Sequence, residues 1–77
     1  MKTAVVLGGG GFIGGHLAKR LKSEGYYVRC VDIKSHEYFK NDEICDDFIV
    51  GDLRNLNLVK SSLIVYGNGV DEVYQLA

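Results

Sequence analysis

The run VLGGGGFIGGHL, from Val6 to Leu17, joins two apolar segments, and a lone carboxylate, Asp32, follows eighteen residues after Gly14. A glycine-rich turn lets backbone amides approach a pyrophosphate, and a carboxylate ending the next strand can accept hydrogen bonds from both hydroxyls of a ribose. Gly8, Gly11 and Gly14 fit G-x-x-G-x-x-G, and Gly9, Gly11 and Gly14 fit G-x-G-x-x-G, because four consecutive glycines leave the register open. Either register describes a dinucleotide site. The plain alternative is a flexible turn that binds nothing; its position after a strand, before a helix and upstream of Asp32 argues for the dinucleotide. Asp32 would repel a 2′-phosphate, which favours NAD(H) over NADP(H), with the cation of Lys34 tempering that preference.

Asp52, after a short apolar run, is placed to accept a hydrogen bond from the adenine amino group, with Leu53 packing on the ring. The competing reading is a turn carboxylate ahead of a helix. His16 falls on the first helix, where a packing residue or polar tip is the simpler reading than a catalytic group. Tyr26, Tyr27, Tyr38, Tyr66 and Tyr74 include no Tyr-x-x-x-Lys, and read as core or edge residues. Cys30, inside a predicted strand, and Cys45, near a predicted loop, read as reduced thiols, since a disulfide framework or metal site needs more ligands at closer spacing.

These residues need elements to position them. Thr3 to Leu7 (TAVVL) predicts a buried parallel strand. Phe12, Ile13, Leu17, Ala18 and Leu21 recur at helical spacing over Phe12 to Glu24, with Lys19, Arg20 and Lys22 towards the dipole-negative end and Gly25 as the stop. Tyr27 to Ile33 predicts the second strand, carrying Asp32 at its carboxyl end. Lys34 to Asp47 predicts a polar loop with one helical turn around Glu37 to Lys40. A third strand over Phe48 to Val50 is followed by Asn55, an N-cap for a helix through Leu56, Val59, Lys60, Leu63 and Ile64. Gly67-Asn68-Gly69 ends that helix, and Val70 to Ala77 predicts a fourth strand. The fold class is α/β: the N-terminal part of a Rossmann-type doubly wound parallel sheet, β-α-β-α-β-α-β in sequence and 3-2-1-4 in space. The topological switch point then lies where Gly8 and Ala77 sit, and that is where a ligand binds in such sheets.

Size and charge narrow the classes further. A chain of 77 residues is one small domain at most and buries only about 60% of its unfolded surface. Nine basic and ten acidic residues make no electrostatic case for nucleic acid or an anionic membrane. No apolar stretch approaches the roughly 20 residues of a membrane span, and the short apolar start does not read as a signal peptide, so a cytoplasmic location is expected.

Taken together, VLGGGGFIGGHL, VDIK, GDLR and VYQLA resemble the N-terminal third or quarter of an extended short-chain dehydrogenase/reductase, within the NAD-dependent nucleotide-sugar epimerase/dehydratase group. LKSEGYYVRCVD, HEYF, the run Cys45 to Phe48, GDLR and GVDEVYQLA most resemble its GDP-sugar 3,5-epimerase branch. The resemblance spans essentially the whole chain. It implies a tightly held NAD that transiently oxidises a sugar carbon, acidifying the neighbouring C–H bonds so that those carbons lose and regain protons on opposite faces before hydride returns. It also implies positions: Gly8, Gly11, Phe12, Ile13 and Gly14 at the pyrophosphate, Asp32 at the adenosine ribose, Asp52 and Leu53 at the adenine, Leu76 and Ala77 near the nicotinamide ribose, with Ile33 as a further cofactor contact. Many members carry Thr before the first motif glycine; this chain has Leu7.

The family's Tyr-x-x-x-Lys pair, its Ser/Thr partner and its substrate half would lie beyond Ala77. Residues 1–77 are therefore expected to form a partial NAD(P)-binding Rossmann domain without a catalytic residue or turnover of its own. The substrate domain would be absent and a nucleotide sugar would be the parent's substrate. Other sugar epimerases or dehydratases, such as a UDP-sugar 4-epimerase, and a stand-alone non-catalytic NAD-binding module are the alternatives. An unpaired fourth strand implies marginal stability or pairing with a second copy, a possible homodimer.

Overall fold

The computed structural model describes residues 2–34, 39–65 and 67–76. The β-branched run Thr3–Leu7 forms β1, Phe12–Ser23 forms α1 and Tyr27–Asp32 forms β2. A one-turn helix α2 (Asn41–Ile44) precedes β3 (Asp47–Val50), which is followed by α3 (Leu56–Ser62). Two short strands, β4 (Ile64–Val65) and β5 (Asn68–Gly69), come before β6 (Glu72–Gln75). Strands β3, β2, β1 and β6 hydrogen-bond in that order, all in parallel, which is the expected 3-2-1-4 arrangement of the sheet strands.

The period-two alternation of β1 and β2 distributes the core over both faces of the sheet. Ala4, Val6, Val28 and Cys30 meet Ala18 and Leu21 of α1, together with Ile44 and Cys45. Val5, Leu7 and Val31 point the other way, onto Leu58 and Val59 of α3 and the adjoining Leu63. Because helices cover both faces, β1 reads as an uninterrupted apolar run, as a central parallel strand must. The two cysteines are buried as thiols. Their thiols lie close enough to hydrogen-bond, and that contact together with burial pushes the Cys30 thiol up, so it stays protonated.

Helix α1 stops where its sequence says it should. Gly25 adopts φ 91°, its amide reaches the Lys22 carbonyl at 3.1 Å, and the Tyr26 amide reaches Leu21 at 3.1 Å, which closes a Schellman cap. At the start of α3, the Asn55 side chain accepts from the amides of Asn57 (3.0 Å) and Leu58 (3.2 Å), the capping role its type predicts.

The helical turn expected around Glu37 to Lys40 lies partly outside the described residues, and a turn of helix forms at Asn41–Ile44. Two local expectations are corrected. Helix α3 ends at Ser62 rather than Ile64, and Asn68 and Gly69 are strand residues paired with Val65 and Ile64. The cause is tertiary. Arg29 of β2 donates to the carbonyls of Ser62 (3.0 Å) and Ile64 (2.9 Å), so one cation pins the chain as it leaves the helix. The fourth sheet strand accordingly starts at Glu72, not Val70.

Candidate functional site

At the carboxyl end of β1 the chain turns sharply. Gly8 takes φ 100°, a left-handed conformation that a side chain disfavours, and its amide donates to the Val31 carbonyl at 2.7 Å. Gly11 then caps α1 with extended backbone and no side-chain hydrogen bond, and the first helical turn contains no acid. A Cβ on Gly14 would stand 2.2 Å from the Gly8 carbonyl oxygen, so the helix can approach the turn only with glycine there. Gly8 turning, Gly11 capping and Gly14 packing settle the structural register as G-x-x-G-x-x-G. Among the described residues the result is a helix N-terminus whose amides and positive dipole end meet no side-chain cap and no acid in the first turn.

Asp32 sits one strand away and is joined to this turn. Its Oδ2 accepts the Gly10 amide at 2.9 Å, and its Oδ1 accepts the amides of Ile33 (2.6 Å) and Lys34 (3.4 Å). Gly10 is present for space: a Cβ there would meet the Lys34 carbonyl oxygen at 2.1 Å. Gly9 likewise packs on Cys30, whose Cβ would lie 2.6 Å from an added methyl. These two glycines, outside the motif positions, hold the turn against β2. The four-glycine run was the visible sign of that crowding.

Two clefts open at this end of the sheet. One, of about 320 Å³, is lined by Gly8, Gly11, Phe12, Ile13, Gly14 and Leu76. The other, of about 310 Å³, is lined by Asp32, Ile33, Asp52, Leu53 and Arg54. Phe12 and Ile13, 65% and 71% exposed, form apolar walls of the first cleft. The clefts thus gather every candidate residue except Ala77, which lies outside the described residues. Leu76 is tied in by its amide, which donates to the Leu7 carbonyl at 2.9 Å. His16 lines neither cleft; it is exposed on α1, with its ring 4.6 Å from that of Phe12 and 5.1 Å from that of Phe39.

Arg54 was not foreseen from the sequence, although GDLR places it two residues after Asp52. The Asp52 carboxylate accepts from the Arg54 amide (2.9 Å), from Nε (3.1 Å to each oxygen) and from Nη2 (2.7 Å). Arg54 holds the Asp52 carboxyl down to about 2, so the group is an acceptor at neutral pH.

A third cleft, of about 310 Å³, opens at the other end of β3 among Asp42, Cys45, Asp46, Asp47 and Phe48. Its three carboxylates disfavour a diphosphate. A dinucleotide therefore fits the end with the uncapped helix, where close-approach glycines leave room for phosphates and Asp32 can face a diol.

Parallel topology and glycine turn together define a Rossmann-type α/β unit. The chain belongs to the NAD dependent epimerase/dehydratase family, whose model matches residues 4–77. It is 44% identical to GDP-mannose 3,5-epimerase 1 of Oryza sativa subsp. japonica and 43% identical to the GDP-mannose 3,5-epimerase of Arabidopsis thaliana, in each case over 94% of this chain and 18% of the relative. It is also 36% identical to the decarboxylating sterol-4-alpha-carboxylate 3-dehydrogenase of Mus musculus, over 99% of this chain and 19% of that protein. The chain therefore spans about 18% of the length of the epimerases it matches.

Proposed function

We propose that these residues form the adenosine-diphosphate side of an NAD site in an enzyme that epimerises a nucleotide sugar, GDP-mannose being the substrate the 43–44% identical relatives are named for. The observation that carries this is the union of an uncapped helix N-terminus with Asp32 through the Gly10 amide, at 2.9 Å. In this reading the amides of the first turn of α1 receive the pyrophosphate, Asp32 accepts the ribose hydroxyls, and Leu76 borders the nicotinamide ribose. Asp52 accepts from the adenine amino group, while Ile33 and Leu53 line the ring. Bound NAD would supply reversible hydride transfer; the residues described here bind and orient, and none of them removes a proton. Residues 1–77 are a partial domain in this reading, acting in the cytoplasm; no helix among the described residues is long and apolar enough to cross a membrane.

Among the described residues β6 has β1 as its only strand neighbour, which offers an edge for pairing with a second copy. Sedimentation over a range of concentrations tests that part of the reading.

The binding claim is tested by titrating NAD+ and NADP+ against the protein and its Asp32→Ala variant. NAD+ should bind in the high micromolar to millimolar range, roughly, because few surfaces enclose it, and the variant should lose most of that affinity. Equal affinity of the two proteins would remove Asp32 from the site. Deuterium uptake from solvent into the hexose carbons of GDP-mannose, in the complete enzyme, tests the substrate.

A further inference from the structure

We infer that Asp52 is a cofactor-specificity residue because it holds the guanidinium of Arg54, a cation at the mouth of the Asp32 cleft, away from a 2′-phosphate. This rests on the reading of that cleft as an adenosine site. The cleft lined by Asp32, Ile33, Asp52, Leu53 and Arg54 contains the features that discriminate NAD from NADP: a carboxylate that repels a 2′-phosphate and an arginine able to receive one. Arg54 is 90% exposed along its side chain and so has room to swing. It does not point outward as an unattached cation. Nε and Nη2 grip the Asp52 carboxylate, and the Arg54 backbone amide bonds the same group, so three donors of one residue converge on one acid.

Counting lone pairs shows what this leaves. Oδ1 holds the Arg54 amide, Oδ2 holds Nη2, and Nε is shared at 3.1 Å with each, so three donors share the carboxylate's roughly four lone-pair sites and one further donor, such as an adenine amino group, has room. The Nε–Nη2 edge, one of the two guanidinium edges that could form a fork with a phosphate, is already spent on the carboxylate, and that grip fixes the guanidinium at Asp52. Asp32 thus rejects the 2′-phosphate directly, and Asp52 rejects it by occupying the nearby arginine. An exposed pair is weak, so the expected effect is several-fold rather than absolute.

A double-mutant cycle on the ratio of NAD+ to NADP+ dissociation constants tests this, using Asp52→Asn, Arg54→Ala and the double variant. With Asp52 present, Arg54→Ala should change the ratio by less than about twofold; in the Asp52→Asn background the same substitution should change it by about fivefold or more, towards NAD+. Equal steps in both backgrounds would mean that Arg54 acts only as a fixed charge, and would overturn the proposal. A gain in NADP+ binding that survives in the double variant would assign it to another cation, such as Lys34, and would overturn it too. Asp32→Ala separates the two levels: if it weakens NAD+ while the cycle shows no coupling, the site stands and only this inference falls. If no dinucleotide binds, both fall. Far-ultraviolet circular dichroism of each variant confirms that folded protein is compared, as expected for exposed side chains outside the core.

Discussion

The carboxylate of Asp32 accepts the backbone amide of Gly10 at 2.9 Å across 22 residues of sequence, so the proposed ribose acid and the glycine turn are one bonded unit. Asp32 is therefore structural as well as a candidate ligand. Asp32→Ala should weaken NAD+ by about tenfold or more, as loss of hydrogen bonds to a charged group does, and lower stability by about 1–3 kcal/mol by orphaning loop amides. Isothermal titration and urea unfolding of the same samples separate the two effects. Asp32→Asn, which keeps an acceptor oxygen, should recover much of the stability and little of the affinity.

Gly14→Ala places a methyl 2.2 Å from the Gly8 carbonyl oxygen, a backbone atom with no way to yield without moving the turn. Overpacking of this kind costs about 1–3 kcal/mol. Gly11→Ala, whose added Cβ would meet the Gly8 oxygen at an ordinary 3.5 Å, is the contrast and should be milder. Thermal or urea melts of the pair report the order; a milder Gly14 variant would mean that α1 does not need its close approach to β1.

Arg29 pairs with Asp47 at 2.8 Å and also holds the carbonyls of Ser62 and Ile64, with its side chain only 14% exposed. Arg29→Met keeps much of the apolar stem but removes every donor, leaving Asp47 and two carbonyls without this partner. A loss of about 2–4 kcal/mol is expected. Hydrogen exchange should show it first in residues 60–65, where the guanidinium ends the helix, and later in the sheet.

Glu72 accepts from the hydroxyls of both Tyr26 and Tyr74. Those bonds hold the Glu72 carboxyl below its ordinary value and push Tyr74 up to about 12. The signs follow from linkage. Glu72, depressed in the folded state, stabilises above its unfolded value and loses that contribution as pH falls through its lower folded value; Asp52, at about 2, and Asp71 behave likewise. Tyr74, raised in the folded state, stabilises below pH 10 and loses that contribution as pH rises towards about 12. Stability should therefore decline below about pH 4, from the ordinary carboxylate range downward, and again above about pH 10. Glu72→Ala should bring the Tyr74 titration back towards 10, read by ultraviolet difference absorbance, and flatten both limbs.

Much of this molecule was written in local patterns that one sequence displays. Short apolar, β-branched runs became β1 and β2, the 3.6-residue spacing of Leu17, Ala18 and Leu21 became the packed side of α1, and Gly25 and Asn55 took the cap positions their backbone and side-chain chemistry favour. Those choices are made by neighbours in the chain, so one strand of letters suffices to read them. The glycine register was different, since four identical residues carry no information about which one turns; the positive φ of Gly8 and the approach of Gly14 to its carbonyl distinguish them. Likewise the bond from Gly10 to Asp32 and the early end of α3 beneath Arg29 each join groups whose meeting depends on the final packing. Periodicity records which side of an element is buried. Where a charged tip lands on the far side of a sheet is decided by three-dimensional distance, and that exists only once the sheet has formed.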